Sequence, residues 1–207
     1  MSWLTEQLSL LNEFLSSDFR RLVRRCALGM LLAALLGFLA SVLWAERMTA
    51  VIDALFSSLL ESGAVDESGG LDLFALLMNN WRAMLTSALY GLIPFLFLPV
   101  LSLLVNGAMV GIVGAMYVLS GLSPLYFLAG ILPHGILELP AIVLSAACGV
   151  YLCRNMCRLV TSSPKRIPMV EVLGDLLRVL VLLVAPMTVA AALIECCVTP
   201  AVMGLLA

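Results

Sequence analysis

Charge is scarce in this sequence, and histidine scarcer still. Only 12% of the 207 residues are Asp, Glu, Lys or Arg, while 63% are hydrophobic. Soluble domains carry about 25% charged and roughly 45–50% apolar residues, so a soluble domain is excluded and a polytopic membrane protein is expected. Between Arg82 and Arg154 the chain has one charged side chain, Glu138, and its one histidine is His134. A net charge of -2 with no basic stripe excludes a nucleic-acid partner. The enzyme signatures are missing too. There is no H-E-x-x-H, no Walker A or dinucleotide-binding glycine loop, and Gly121-Leu122-Ser123-Pro124 fails G-x-S-x-G at its last position. The expectation is a non-catalytic chain that needs no cofactor.

Six cysteines are present: Cys26, Cys148, Cys153, Cys157, Cys196 and Cys197. Their spacing does not fit a paired C-x-x-C zinc site. They read as small apolar helix residues.

What is abundant is apolar helix. Residues 2–19 place Trp3, Leu4, Leu8, Leu11, Phe14, Leu15 and Phe19 at steps of three and four, the pattern of an amphipathic helix. Arg20, Arg21, Arg24 and Arg25 follow and precede a first span over 26–44, which reads as an uncleaved helix. By the positive-inside rule the N-terminus is cytoplasmic, in the inner membrane. Residues 1–25 thus form a cytoplasmic amphipathic segment and 26–200 the transmembrane domain. Within that domain, 46–82 carries Glu46, Asp53, Glu61, Asp66, Glu67 and Asp72 against Arg47 and Arg82, and reads as extracytoplasmic. Short surface helices are expected over 48–60 and 71–81, with a loop at 63–70.

A second span is expected over 83–105, kinked at Pro94 and Pro99. Asn106-Gly107 reads as a tight turn, and a short third span over 108–119 follows. Gly107, Gly111 and Gly114 line one side of it, which suits close helix packing, with a dimer seam as the alternative. Ser123 and Pro124 read as the N-cap and first residue of the next helix. Residues 125–151 would make roughly 40 Å of helix against a hydrocarbon core of about 30 Å. A break at Pro133 is therefore expected, with Gly135 and Pro140 nearby, dividing the run into 125–132 and 134–153. Arg154, Arg158, Lys165 and Arg166 then mark a cytoplasmic loop, and a fifth span covers 176–197. The fold class is all-α, a transmembrane bundle of about five spans; a sixth would require splitting one of these runs.

His134 and Glu138 are i and i+4, so a helix puts them on one face. Glu195 near the outer end of span five, and Asn79, Asn80 and Arg82 before span two, are expected at a similar depth. These six residues form the expected intramembrane polar cluster. Three roles compete for it: buried hydrogen bonds that tie helices together, a proton or ion pathway, and a metal site of His134, Glu138 and Glu195. No metal is expected, since i,i+4 spacing is all that supports one.

The same residues carry a family resemblance. Pro133-His134-Gly135 with Glu138-Leu139-Pro140-Ala141, Asn79-Asn80, Asn106-Gly107, Ala191-Ala192-Leu193-Ile194-Glu195 and Thr199-Pro200 resemble the stage II sporulation protein M family, in its order and spacing, over residues 70 to 200. The resemblance implies a helical inner-membrane protein without catalysis. The sporulation member is regarded as a scaffold for peptidoglycan-degrading partners. The leading expectation is thus a scaffold or assembly component of a cell-envelope complex, meeting the bilayer, other envelope proteins and a second copy of itself. The alternative is a small transporter or channel for protons, ions or a small solute that uses the His/Glu cluster.

Overall fold

Prolines and glycines decide where this chain turns and where its helices touch. The computed structural model describes residues 2–45, 57 and 72–205. They are helical throughout, with no strand among the described residues. The expected surface helix at 48–60 and loop at 63–70 lie outside them.

Helix α1 (Trp3–Ser16) ends at Ser17, whose hydroxyl donates to the Phe14 carbonyl and accepts from the Phe19 amide. One serine thus closes α1 and caps α2 (Asp18–Leu43). The bend stacks Phe14 on Phe19 at 4.4 Å, and both rings meet Tyr151 edge-on at 5.1 and 6.0 Å. Leu11 and Phe14 are buried while Trp3, Leu4 and Leu8 stay exposed. So α1 docks half of its apolar stripe on the bundle and keeps the other half outward.

Helix α3 (Leu73–Leu89) begins with an Asp72 cap, the side chain accepting from the Ala75 amide at 2.8 Å, and tightens into a 3₁₀ turn at Tyr90–Leu92. The expected surface helix over 71–81 is the first half of this one continuous helix. The expected second span is corrected as well. Ile93 precedes Pro94 and is extended (ψ 104°), as the proline ring requires of its predecessor. Phe95 and Phe97 have φ of 69° and 46°, and Pro99 then sits in the first turn of α4 (Leu98–Leu119). The two prolines act as a stop and a start, so the reversal lies at 93–97. Two thiols serve this loop: Cys153 donates to the Ile93 carbonyl at 3.4 Å, and Cys157 accepts from the Phe95 amide at 3.1 Å.

Asn106 and Gly107 are therefore not a turn. They lie inside α4, where the Asn106 amide donates back to the Ser102 carbonyl at 2.8 Å. A Cβ on Gly107 would lie 2.5 Å from the Met30 carbonyl oxygen, and one on Gly111 1.9 Å from that of Ala34. Gly37 of α2 returns the contact, 2.5 Å from the Ala108 carbonyl oxygen. The glycine stripe is the seam between α2 and α4, inside one chain. Gly114 instead faces the Phe127 ring.

Gly121 (φ 71°) turns the chain, and Ser123 caps α5 (Pro124–Val160), accepting from Leu125 at 3.2 Å. This helix is 37 residues long and unbroken, contrary to the expected break at Pro133. At 1.5 Å per residue it runs about 55 Å. Pro133, Gly135 and Pro140 all lie within it; each proline removes one i→i−4 hydrogen bond, and a packed membrane helix tolerates that loss where neighbours serve the freed carbonyl. α5 is the central helix. Ala141, Ala146, Ala147, Cys148 and Cys153 are fully buried along it, and these small side chains let α3 and α4 approach. Near its end, Asn155 accepts from the Ile167 amide at 2.9 Å and donates to the Ile167 carbonyl at 3.0 Å, which fastens the following loop.

The last rod is α6 (Met169–Val179), a π-helical turn at Leu180–Val184, and α7 (Ala185–Cys197). The widened turn lies just before Pro186, and Ala185 donates back to Leu180, a step of five residues. Arg178 of α6 donates to Gln7 at 2.8 Å and pairs with Asp175 at 2.8 Å, tying α1 to this rod. A short α8 (Thr199–Gly204) carries on from α7 along α5, with Met203 sulfur 3.6 Å from the Cβ position of Gly130.

Four of these helical runs are long and apolar enough to cross a membrane; α3, 17 residues, runs back between α2 and α4 in chain order. Contact register supports the alternation: α2 runs parallel to α4 (Met30 at Gly107, Ala34 at Gly111), and α3 parallel to α5 (Met84 at Ser145, Gly91 at Gly149). The arginines of α2, Arg154, Arg158, Lys165, Arg166 and Arg178 gather at one end, called here the basic end. Outward surfaces are apolar, as on α2, where Leu28, Leu31, Leu32, Leu35, Leu36 and Leu39 are exposed. Such a surface suits hydrocarbon, since the helices satisfy their own backbone groups.

Candidate functional site: an intramembrane His–Glu–Glu cluster

Away from the basic end, α5 and α7 bring three ionisable side chains together. His134 and Glu138 lie one turn apart on α5, with Nε2 and Oε2 separated by 3.8 Å. Their side chains are 13% and 20% exposed. Glu195 comes across from α7, and one ligating atom of each residue lies within 4.8 Å of the others.

Thr199, at the start of α8, completes the cluster. Its hydroxyl lies 3.4 Å from His134 Nδ1 and 3.4 Å from the Ile194 carbonyl. The carbonyl can only accept, so the hydroxyl donates to it and accepts from Nδ1–H. This arrangement fits the tautomer with its proton on Nδ1, which leaves Nε2 bare, facing Glu138.

Two ionised carboxylates at 4.8 Å or less would repel by about 3.5 kcal/mol at an effective dielectric near 20. No lysine or arginine pairs with either of them among the described residues. Arg82 is exposed and makes no ion pair among these residues, and Asn79 is exposed as well. Neither joins the cluster. Arg82 occupies the exposed side of α3, whereas Asn80 faces inward.

Asn80 leads to a feature that sequence reasoning missed. Behind Glu138, toward the basic end, lies a cavity of about 40 Å³ between α3, α4 and α5. Its polar lining is Asn80, Ser87, Ser102, Asn106, Glu138 and Ser145. A water needs about 10–15 Å³ of such space and at least two polar partners, so the cavity has room for about three. Asn80 Nδ2 and Ser87 Oγ are buried and bond no protein group, and Ser87 is only 5% exposed. Ser145 donates to the Met84 carbonyl. Past the cavity the helices meet backbone to backbone: a Cβ on Gly91 would lie 2.1 Å from the Gly149 carbonyl oxygen, and one on Gly149 2.6 Å from Pro99 Cγ. The lining was legible in part. Asn80 and Ser87, and Glu138 and Ser145, are seven residues apart, and Ser102 and Asn106 four, so each pair shares a helix face.

Comparison with known proteins now adds one decisive finding. The sequence profile of stage II sporulation protein M matches residues 26–200. The chain belongs to the stage II sporulation protein M family. No curated protein and no solved structure matches it. The match covers α2 from Cys26 onward and the described helices after it as far as Pro200, with the cluster and the cavity, and leaves α1 outside. The two segments quoted for the resemblance that looked most like breaks, Pro133-His134-Gly135 and Asn106-Gly107, are both helical. In this family member they deliver side chains to the interior, with His134 in the cluster and Asn106 on the cavity wall.

Proposed function

We propose that this chain is a small, non-catalytic membrane transporter or channel component that admits a cation to the His134, Glu138 and Glu195 cluster and passes it along the polar cavity. One observation carries the reading. Buried, unpartnered Asn80 and Ser87 line a water-sized space that reaches Glu138. A cluster serving only to tie helices together would be dry and fully hydrogen-bonded. An intramembrane carboxylate facing a polar space is by default a functional group. The helix contacts at Gly91, Gly149 and Pro99 act as the closed gate on the basic side. Purified chain in liposomes should pass a small cation down a concentration gradient, and Glu138→Gln should lower that flux at least tenfold. Equal flux in the two proteins would remove Glu138 from any route.

Family membership favours a second reading, a scaffold or assembly component of a cell-envelope complex, as the sporulation protein M resemblance implies. Its acidic segment 46–82 or the outward stripe of α1 (Trp3, Leu4, Leu8) would meet partner proteins. Undiminished flux in Glu138→Gln, together with recovery of envelope proteins on the intact chain, would favour it.

In either reading the chain sits in the cytoplasmic membrane with the basic end inside. In a background without native cysteines, Lys165→Cys should be labelled from the cytoplasmic side and Leu122→Cys from the other. Both positions are exposed. Labelling of both from one side would overturn the five-pass topology.

A further inference from the structure

The pairing of His134 with Glu138 is not an ordinary hydrogen bond. At 3.8 Å it is too long for one. With the Thr199 hydroxyl donating to the Ile194 carbonyl, the imidazole carries its proton on Nδ1. Nε2 therefore presents a lone pair to a carboxylate oxygen, and a second carboxylate, Glu195, faces the same point. Three electron-rich atoms converge on one spot with no protein donor or cation between them among the described residues. With both carboxyl groups ionised, that arrangement is repulsive when empty and favourable around a positive ion.

We propose that His134 Nε2, Glu138 and Glu195 bind one first-row divalent metal ion of the zinc, cobalt or manganese class. The proposal rests on the transport reading, for which it names the cation.

The ligand set chooses the class. Magnesium and calcium favour all-oxygen shells of six or more ligands, whereas one imidazole nitrogen with two carboxylates suits a first-row ion. Charge agrees, since two carboxylates and a neutral imidazole carry two negative charges, which a dication cancels within a low dielectric. Thr199 plays the part of the outer partner that fixes the tautomer of a metal-bound histidine. Metal–ligand bonds of about 2.0–2.2 Å put ligand atoms roughly 3.3 Å apart. The three ligand atoms, now within 4.8 Å of one another, would draw in to that spacing as the ion binds. A separate observation points the same way. The cavity touching Glu138 holds the unpartnered hydroxyl of Ser87, which is 95% buried, and the free amide of Asn80. A partly open coordination shell is completed by water, which such a cavity supplies from the Glu138 side.

The test is metal binding by the purified full chain in detergent, probed with Zn²⁺, Co²⁺ and Mn²⁺ and compared with Mg²⁺ and Ca²⁺. The expected result is one Co²⁺ or Zn²⁺ per chain, with Mg²⁺ and Ca²⁺ failing to compete at hundredfold excess. Glu138→Gln, Glu195→Gln and His134→Ala should each weaken binding at least tenfold. Glutamine keeps the shape of the side chain, and an unchanged elution profile and circular dichroism would confirm that the fold survives. His134→Ala should also shift the Co²⁺ visible spectrum toward an all-oxygen shell. Thr199→Val should weaken binding a few-fold without changing the ligand atoms. Cys196→Ser with Cys197→Ser should leave binding intact, and loss of binding there would overturn the assignment in favour of adventitious thiol coordination. Binding by the wild type no stronger than by the His134/Glu138/Glu195 triple variant would overturn it outright, as would equal affinity for Mg²⁺. The two proposals fail separately. Flux of a monovalent cation without metal binding sinks this inference alone, whereas stoichiometric metal binding without flux sinks the transport reading alone.

Discussion

Gly111→Val is expected to collapse the bundle. Even the first carbon of the new side chain would lie 1.9 Å from the Ala34 carbonyl oxygen and 2.7 Å from the Phe38 amide nitrogen. Both obstacles are backbone, so no rotamer change relieves the clash. The two helices would have to move apart by more than an ångström along their most intimate seam, where Gly37 and Gly107 make the same kind of contact. Overpacking of ordinary side chains costs about 1–3 kcal/mol. Here the cost should exceed that range, because the neighbours cannot yield, and it falls on a stability of about 5–15 kcal/mol. Gly29→Ala is the control. It lies on the same helix as Gly37, and its nearest foreign atom is Leu104 Cδ2 at 3.9 Å. Alanine there should be neutral or stabilising by up to about 1 kcal/mol through helix propensity. Thermal unfolding in detergent and yield in the membrane fraction would measure both. Equal stability of the two variants would mean that α2 and α4 do not pack as described.

Ser87→Val should separate the route from the binding centre. Ser87 Oγ makes no hydrogen bond to the protein, so its removal breaks nothing. A buried unpaired hydroxyl is itself a liability of about 1–3 kcal/mol, and valine puts apolar volume into the space of about 40 Å³. The variant should therefore be at least as stable as the parent. Cation flux should nonetheless fall at least tenfold, because the cavity would lose both its room and a water-binding group. Metal binding at His134, Glu138 and Glu195 should be unchanged. Normal flux in a folded, cavity-filled variant would show that the cavity is not on the path, and the scaffold reading would then gain.

The sequence alone settled what depends on local chemistry and composition. The apolar content called for a membrane bundle, and the arginine clusters set the alternation of its ends. Gly121, Ser123 and Pro124 marked a turn, a cap and a helix start from their own backbone preferences. The i,i+4 spacing put His134 and Glu138 on one face, and Glu195 was placed at their depth by counting spans. The tertiary structure decided what depends on neighbours. Pro94 and Pro99 could be kinks or ends, and the loop they bracket exists because Cys153 and Cys157 lie beside it to serve its backbone. Asn106-Gly107 has the dipeptide preference of a turn, yet Gly107 is needed against Met30, so the helix runs through. Pro133 would break a lone helix, but α5 runs on through it, and the small residues that pack its inner half lie beyond, from Ala141 onward. Rotation about a helix axis also depends on packing, which is why Asn80 faces the cavity while Asn79 and Arg82 face outward. Thr199 needed the fold as well, since it meets His134 across 65 residues of sequence where α8 continues along α5.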